Sequence, residues 1–204
     1  MGQLTVTVTN SATAVNLTSV GLVDWSDWAT GAGVSPAATD YKSGGGNTVP
    51  TPTCNGANTY TNDARTISWT NGTNTGSSSN TAGFYVGGSA TGDGFTFPFV
   101  ADTNVRTVYV YTGGYNLTTA ATVTATMSDG SATTYTNNTT MTGAASTAID
   151  TVIELVFQAN SAAQTCTLNV ALSATVSGSN VSLQAVAFAS VTSGGSTATT
   201  AWLT

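Results

Sequence analysis

Apolar and polar residues alternate with a period of two along most of this chain. Leu4, Val6 and Val8 alternate with threonines, Ile67 and Trp69 share one face of "TISWT", and Val123, Ala125 and Met127 alternate with threonines before a turn at Asp129-Gly130. That period is the mark of half-buried strands. "GFYVGG", "GFTFPF", "RTVYVYTGG", "CTLNVALSATV" and "VSLQAVAFASV" read as further strands, and the denser "TVIELVFQA" reads as a strand buried on both faces. No stretch shows a capped apolar period of 3.6, so long helices are not expected. Short strands separated by Gly, Asn and Asp turns predict an all-β fold, an antiparallel β-sandwich or jelly roll with an N-terminal strand arm. The expected division is an arm and linker over 1–20, a sandwich over 21–191 and a tail over 192–204. Two Gly/Pro- or Ser-rich excursions, 38–63 and 70–83, are expected as surface loops.

Charge narrows the partners. Three Lys and Arg against nine Asp and Glu leave a net charge of -6. Such a chain cannot build the cationic surface that nucleic acid or anionic lipid requires. No segment approaches a membrane span, and the opening residues lack the basic and apolar regions of a signal peptide. The two cysteines, Cys54 and Cys166, lie far apart, and the chain has no His. A thiol nucleophile would lack its base and a zinc site its ligands. The expectation is one Cys54–Cys166 disulfide, which would place the protein outside the cytoplasm.

The segment "GLVDWSDWATG" concentrates bulk and charge in a chain that has little of either. Two arrangements fit it. In one, Trp25 anchors the core and Asp24 ties down a nearby loop through backbone amides. In the other, Trp28 is a platform for a sugar ring, with Asp24 or Asp27 accepting hydroxyl hydrogen bonds. The single glutamate, Glu154, sits inside "VIELV", and no motif selects an aspartate to join it in a glycosidase pair, so no enzyme activity and no cofactor are expected. A structural calcium held by Asp24, Asp27, Asp102 or Asp129 has no D-x-D-x-D-G loop to support it. N-x-S/T acceptors for glycosylation stand at Asn16, Asn71, Asn116, Asn137, Asn138 and Asn180.

Several motifs in order resemble a bacterial extracellular β-sandwich repeat module of secreted and surface proteins, marked by D-W-x-x-W-G. They are Asp24-Trp25 with Trp28, Ile67 to Thr73, Gly83-Phe84-Tyr85-Val86, "PFVADTNVRTVYVY", and Ser128 to Ala132. The likeness runs from about Gly21 to Val170. It departs at Asp27 and Ala29, where the module carries His and Gly. The resemblance implies a galactose-binding-like jelly roll used for attachment or surface architecture rather than catalysis. The functional expectation is a structural subunit of an extracellular filament or surface assembly. Its partner would be itself, with Leu4, Val6 and Val8 forming an intersubunit complementing strand. The alternative is a carbohydrate-binding or adhesive module that takes glycans.

Overall fold

The computed structural model describes residues 2–88 and 90–193. The protein is an all-β sandwich with a third, smaller layer. The larger sheet holds β1 (Gln3–Asn10), β14 (Ala148–Gln158), β11 (Val105–Tyr115), β16 (Asn180–Thr192), β3 (Asp24–Asp27) and β4 (Asp40–Tyr41) in that order. Beyond the reach of β3, β16 also pairs with β9 (Gly83–Gly87), which carries β6 (Ala57–Tyr60). The facing sheet runs β13 (Tyr135–Asn137), β12 (Thr122–Met127), β15 (Gln164–Ala171), β10 (Gly94–Ala101), β5 (Thr53–Cys54).

The alternation in the sequence becomes the main core. Phe95, Phe97 and Phe99 of β10 turn inward against Val108 and Val110 of β11 and Ile153, Leu155 and Phe157 of β14. Burial in β14 alternates, with Val152, Glu154 and Val156 half-buried on its other face, so this strand is not covered equally on both sides as its composition suggested. Pro98 lies exposed on β10 beyond the two residues that β5 pairs, where β10 is an edge strand and a missing N–H breaks no ladder.

The outer face of the larger sheet carries the third layer: β2 (Val15–Asn16), β7 (Ile67–Trp69), β8 (Ser78–Asn80) and the single-turn helix α1 (Leu17–Val20). Asn16 caps α1 by accepting from the Thr18 N–H. Leu17, Trp25, Ile67, Trp69, Tyr111, Ala185 and Ala187 form a second core there, with the Trp25 and Trp69 rings 5.4 Å apart.

Residues 3–20 are thus integral to the domain. Leu4, Val6 and Val8 pack half-buried against the main core of their own chain. Gln3 to Asn10 pair with Gln158 to Thr151 in an unbroken antiparallel register. The expected intersubunit strand is laid at home, because β14 offers it a complete ladder. Of the expected tail, residues 194–204 lie outside the described residues.

The cysteines are free. Cys54 stands beside Phe95 and Cys166 beside Phe99, on opposite sides of β10. Four residues along a strand and two strand spacings across put their Cα atoms about 16 Å apart, against the roughly 4.4–6.8 Å a disulfide needs. The expected bridge, and the compartment argument built on it, are therefore corrected. Unreduced, denatured protein should titrate with two thiols and keep its mass on reduction. A single disulfide by mass spectrometry would contradict the register.

Candidate functional site

The concentrated segment at Asp24 to Trp28 serves packing. Trp25 is fully buried in the second core and its indole N–H donates to Asn71 Oδ1 at 3.0 Å. Trp28 is 1% exposed in the main core, edge-on to Phe97 at 5.6 Å, with its N–H given to the Pro36 carbonyl. One segment supplies a tryptophan to each core. Neither ring can serve as a sugar platform, so the Trp28 platform is corrected: both rings are spent on core packing, with their N–H groups taken up inside the protein.

The aspartates here are loop clamps. Asp24 accepts from the Thr48 N–H and hydroxyl, drawing the long 43–51 loop onto β3. Asp40 accepts backbone N–H groups from Tyr41, Thr73, Asn74 and Thr75. Gly72 permits that approach, since a Cβ there would stand 2.7 Å from Asp40 Oδ2. Asp27 is fully buried and accepts from the Ala29 N–H and from Asn80. Burial pushes its carboxyl up from 3.8 to about 7. Asp102 lies elsewhere, paired with Arg106 at 2.5 Å, and Asp129 accepts from the Ser131 and Asn160 N–H groups. The four calcium candidates are thus not brought together, and among the described residues no group of three or more His, Cys, Asp or Glu could hold a metal.

The glycosylation candidates differ in availability. Asn16 caps α1, Asn71 holds the Trp25 indole and Asn180 accepts from the Tyr115 N–H. The Nδ2 groups of Asn116 and Asn137 donate to Ser177 O and Thr140 Oγ1. Asn138 is exposed. Glu154 accepts from the Tyr109 hydroxyl at 3.0 Å and has no second carboxylate beside it.

A concave site lies on the outer face of the larger sheet, beside the third layer. A cleft of about 290 Å³ is walled by Tyr60, Tyr85 and Tyr115, with Asn62, Asp63, Asn180 and Ser182 between them. Register brings these together from distant sequence. Tyr60 stands opposite Gly83, Tyr85 opposite Ser182 and Tyr115 opposite Asn180. Gly83 lets the Tyr60 ring cross β9, for a Cβ there would meet the ring and hydroxyl at 2.8–2.9 Å. Tyr115 is 41% exposed and the other two are half-buried.

Arg65 braces the cleft from behind. It is fully buried, and it donates to Gln184 Oε1, to the Thr151 and Thr112 carbonyls, and to Asp150 at 3.2 Å. Its guanidinium also lies over the Tyr111 ring. Gln184 is available because β16 carries a bulge: Tyr111 pairs with Ala185 and Thr112 with Leu183, leaving Gln184 without a partner on β11. Asp63 Oδ2 accepts from the Tyr60 hydroxyl at 2.8 Å, and its Oδ1 accepts from the Arg65 N–H. Burial, and then the hydrogen-bonded Asp63 carboxyl beside it, push Asp150 upward. Burial raises Tyr60 well above the usual phenol range.

The cleft therefore presents aromatic faces, amides, a hydroxyl and one carboxyl, with no cation. Arg65 is sealed, Lys42 Nζ donates to the Gly21 and Leu22 carbonyls, and Arg106 is paired with Asp102. A second groove of about 350 Å³ beside Asp24 and Ser26 has one aromatic, Tyr41. Sequence reasoning did not find the tyrosine cleft. The available signals were Arg65 sharing the inward face of Ile67 and Trp69, and tyrosines placed near Gly-rich turns.

Comparison with known proteins yields no match to a family model, to a curated protein or to a solved structure.

The buried carboxyls make stability depend on pH. Asp27 keeps its proton to about pH 7 in the folded state and to 3.8 in its ordinary state. The folded chain thus binds the extra proton between these values, and stability falls as pH rises from about 4 to 7, then levels. Asp150 acts in the same direction. Chemical denaturation across pH 4–8 should show this decline, and Asp27→Asn should make it shallower. An unchanged slope would contradict the assignment. Arg65→Ala should destabilise by about 3–5 kcal/mol, because it strands Asp150 and Gln184 in the interior.

Proposed function

We propose that this protein is an extracellular or cell-surface β-sandwich module that binds a neutral saccharide in the tyrosine cleft. The observation that carries this reading is the convergence of Tyr60, Tyr85 and Tyr115 on one cavity with Asn62, Asp63, Asn180 and Ser182 between them. Aromatic faces take the C–H faces of a sugar ring, while amide, carboxyl and hydroxyl groups pair with its hydroxyls. The absence of a free cation in the cleft disfavours uronic acids and sulfated sugars, and the Asp63 carboxyl accepts hydroxyl or ammonium donors. The reading is one of binding without turnover. Asp150 is engaged by the Arg65 guanidinium, and Asp63 by the Tyr60 hydroxyl and the Arg65 N–H, so neither carboxyl stands free as an acid or base. The resemblance to surface-attachment modules agrees with this reading.

A second reading, a structural subunit of an extracellular filament or surface assembly, draws on β1. This uncharged alternating strand occupies one edge of the larger sheet and is joined to the third layer by Ser11–Ala14. A strand held in that way can exchange with the equivalent strand of another copy at low cost.

Titration calorimetry against neutral and amino-sugar oligosaccharides should detect binding. Tyr115→Ala should weaken it by about tenfold or more, some 1.4 kcal/mol, while leaving the unfolding midpoint in place. No binding across a broad glycan array, or binding indifferent to Tyr115→Ala, would overturn the saccharide reading. For the second reading, a chain lacking residues 1–10 should lose any ordered polymer that the full chain forms, and persistence of that polymer would exclude strand exchange.

A further inference from the structure

β1, which reads "QLTVTVTN" over Gln3–Asn10, lacks charge, proline and a bulge, three of the devices that protect a sheet edge. Its orientation fixes which groups are open. The Ser11 N–H donates to the Asp150 carbonyl, and this pair continues the register of Asn10 opposite Thr151. Alternate residues Gln3, Thr5, Thr7 and Thr9 therefore exchange hydrogen bonds with β14, while Leu4, Val6 and Val8 direct their N–H and C=O groups away from it. Among the described residues no strand pairs with that outer edge. Asn10 Nδ2 reaches the Thr140 carbonyl at one end, and the side chains of Leu4, Val6 and Val8 remain only half-buried.

We propose that β1 is an interaction surface for a second copy of this chain, paired edge to edge and antiparallel about a twofold axis at Val6. The occupant follows from self-complementarity. With that axis, Val6 faces Val6 and Leu4 faces Val8 on the core side. Thr5 faces Thr7 and Gln3 faces Thr9 on the outer side. Apolar meets apolar and hydroxyl meets hydroxyl or amide throughout. The residues opposed at close hydrogen-bonding range, Leu4, Val6 and Val8, are the ones whose backbone groups point outward. Charge does not oppose the contact. The nearest acidic side chain on the sheet is Glu154, opposite Thr7 on β14 and held by Tyr109. The two copies of Glu154 would stand three strand spacings across and two residues along from each other, about 16 Å, beyond the screening length of about 8 Å at physiological salt. The half-buried Leu4, Val6 and Val8 would gain cover from their counterparts. The contact joins intact subunits. It needs no strand exchange and is independent of what the cleft binds, although it shares with the second reading the idea that the chain is its own partner.

Sedimentation of the full chain over micromolar to millimolar concentration should show a reversible monomer–dimer equilibrium. Val6→Pro removes an outward N–H and leaves the β14 ladder its donors. It should weaken the dimer by about tenfold or more, the worth of one or two net ladder hydrogen bonds. Thr7→Lys, which leaves the strand backbone untouched and sets cations near the axis, should do the same if Val6→Pro shifts the unfolding midpoint. A mixture of Thr5→Cys and Thr7→Cys chains should oxidise to a mixed disulfide dimer in preference to either self-dimer. A monomer at every concentration overturns the proposal, as does a dimer indifferent to both substitutions. Intermolecular cross-linking of Gln3→Cys to Gln158→Cys overturns it in favour of strand exchange.

Discussion

A single buried guanidinium ties the third layer of this protein to the larger sheet. Arg65 enters from the loop before β7 and meets β11, β14 and β16 through the Thr112 and Thr151 carbonyls and Gln184, with the Asp150 carboxyl 3.2 Å away. An isolated cation in that position would be too costly to bury, and it persists because each of its three nitrogens donates to an acceptor. The consequences spread outward. The loop bearing Asp63 is fixed, Tyr60 is oriented through Asp63, and the cleft acquires one rigid wall. The β16 bulge that frees Gln184 is part of the same arrangement.

With few charges available, the chain uses its carboxylates as loop anchors. Asp24 and Asp40 are nearly buried without a cation, and backbone N–H groups of the long loops satisfy them. Surfaces composed of Thr, Ser and Asn then carry solubility, while the aspartates set the path of segments too polar to pack. Asp27 receives fewer backbone donors, and burial raises its carboxyl to about 7.

The fold class was legible because period-two alternation survives in nearly every strand. Even the bulge has a trace in sequence: the inward positions of β16 shift from Val181 and Leu183 to Val186 and Phe188, a change of phase across Gln184. The roles of Trp25 and Asp24 as anchor and loop clamp were also readable. The site was not. Tyr60, Tyr85 and Tyr115 lie on three strands whose adjacency depends on β16 serving two neighbours along its length, which local patterning does not encode. The disulfide expectation failed for a related reason. Cys54 and Cys166 do share a sheet, but on opposite flanks of β10, and spacing in sequence carries no information about flank.

The position of β16 has a bearing on biogenesis. Its residues, 180–192, sit at the centre of the larger sheet and pair with β3, β9 and β11, which precede them by as much as some 160 positions. On a ribosome, β3, β9 and β11 emerge before the strand that joins them. Until then β3 and the β6–β9 pair have no partner at the sheet's middle, and β1 waits similarly for β14. Assembly of this sheet is therefore a late event dominated by distant contacts, a topology associated with slow folding. The nascent chain must keep its unpaired strands apart meanwhile.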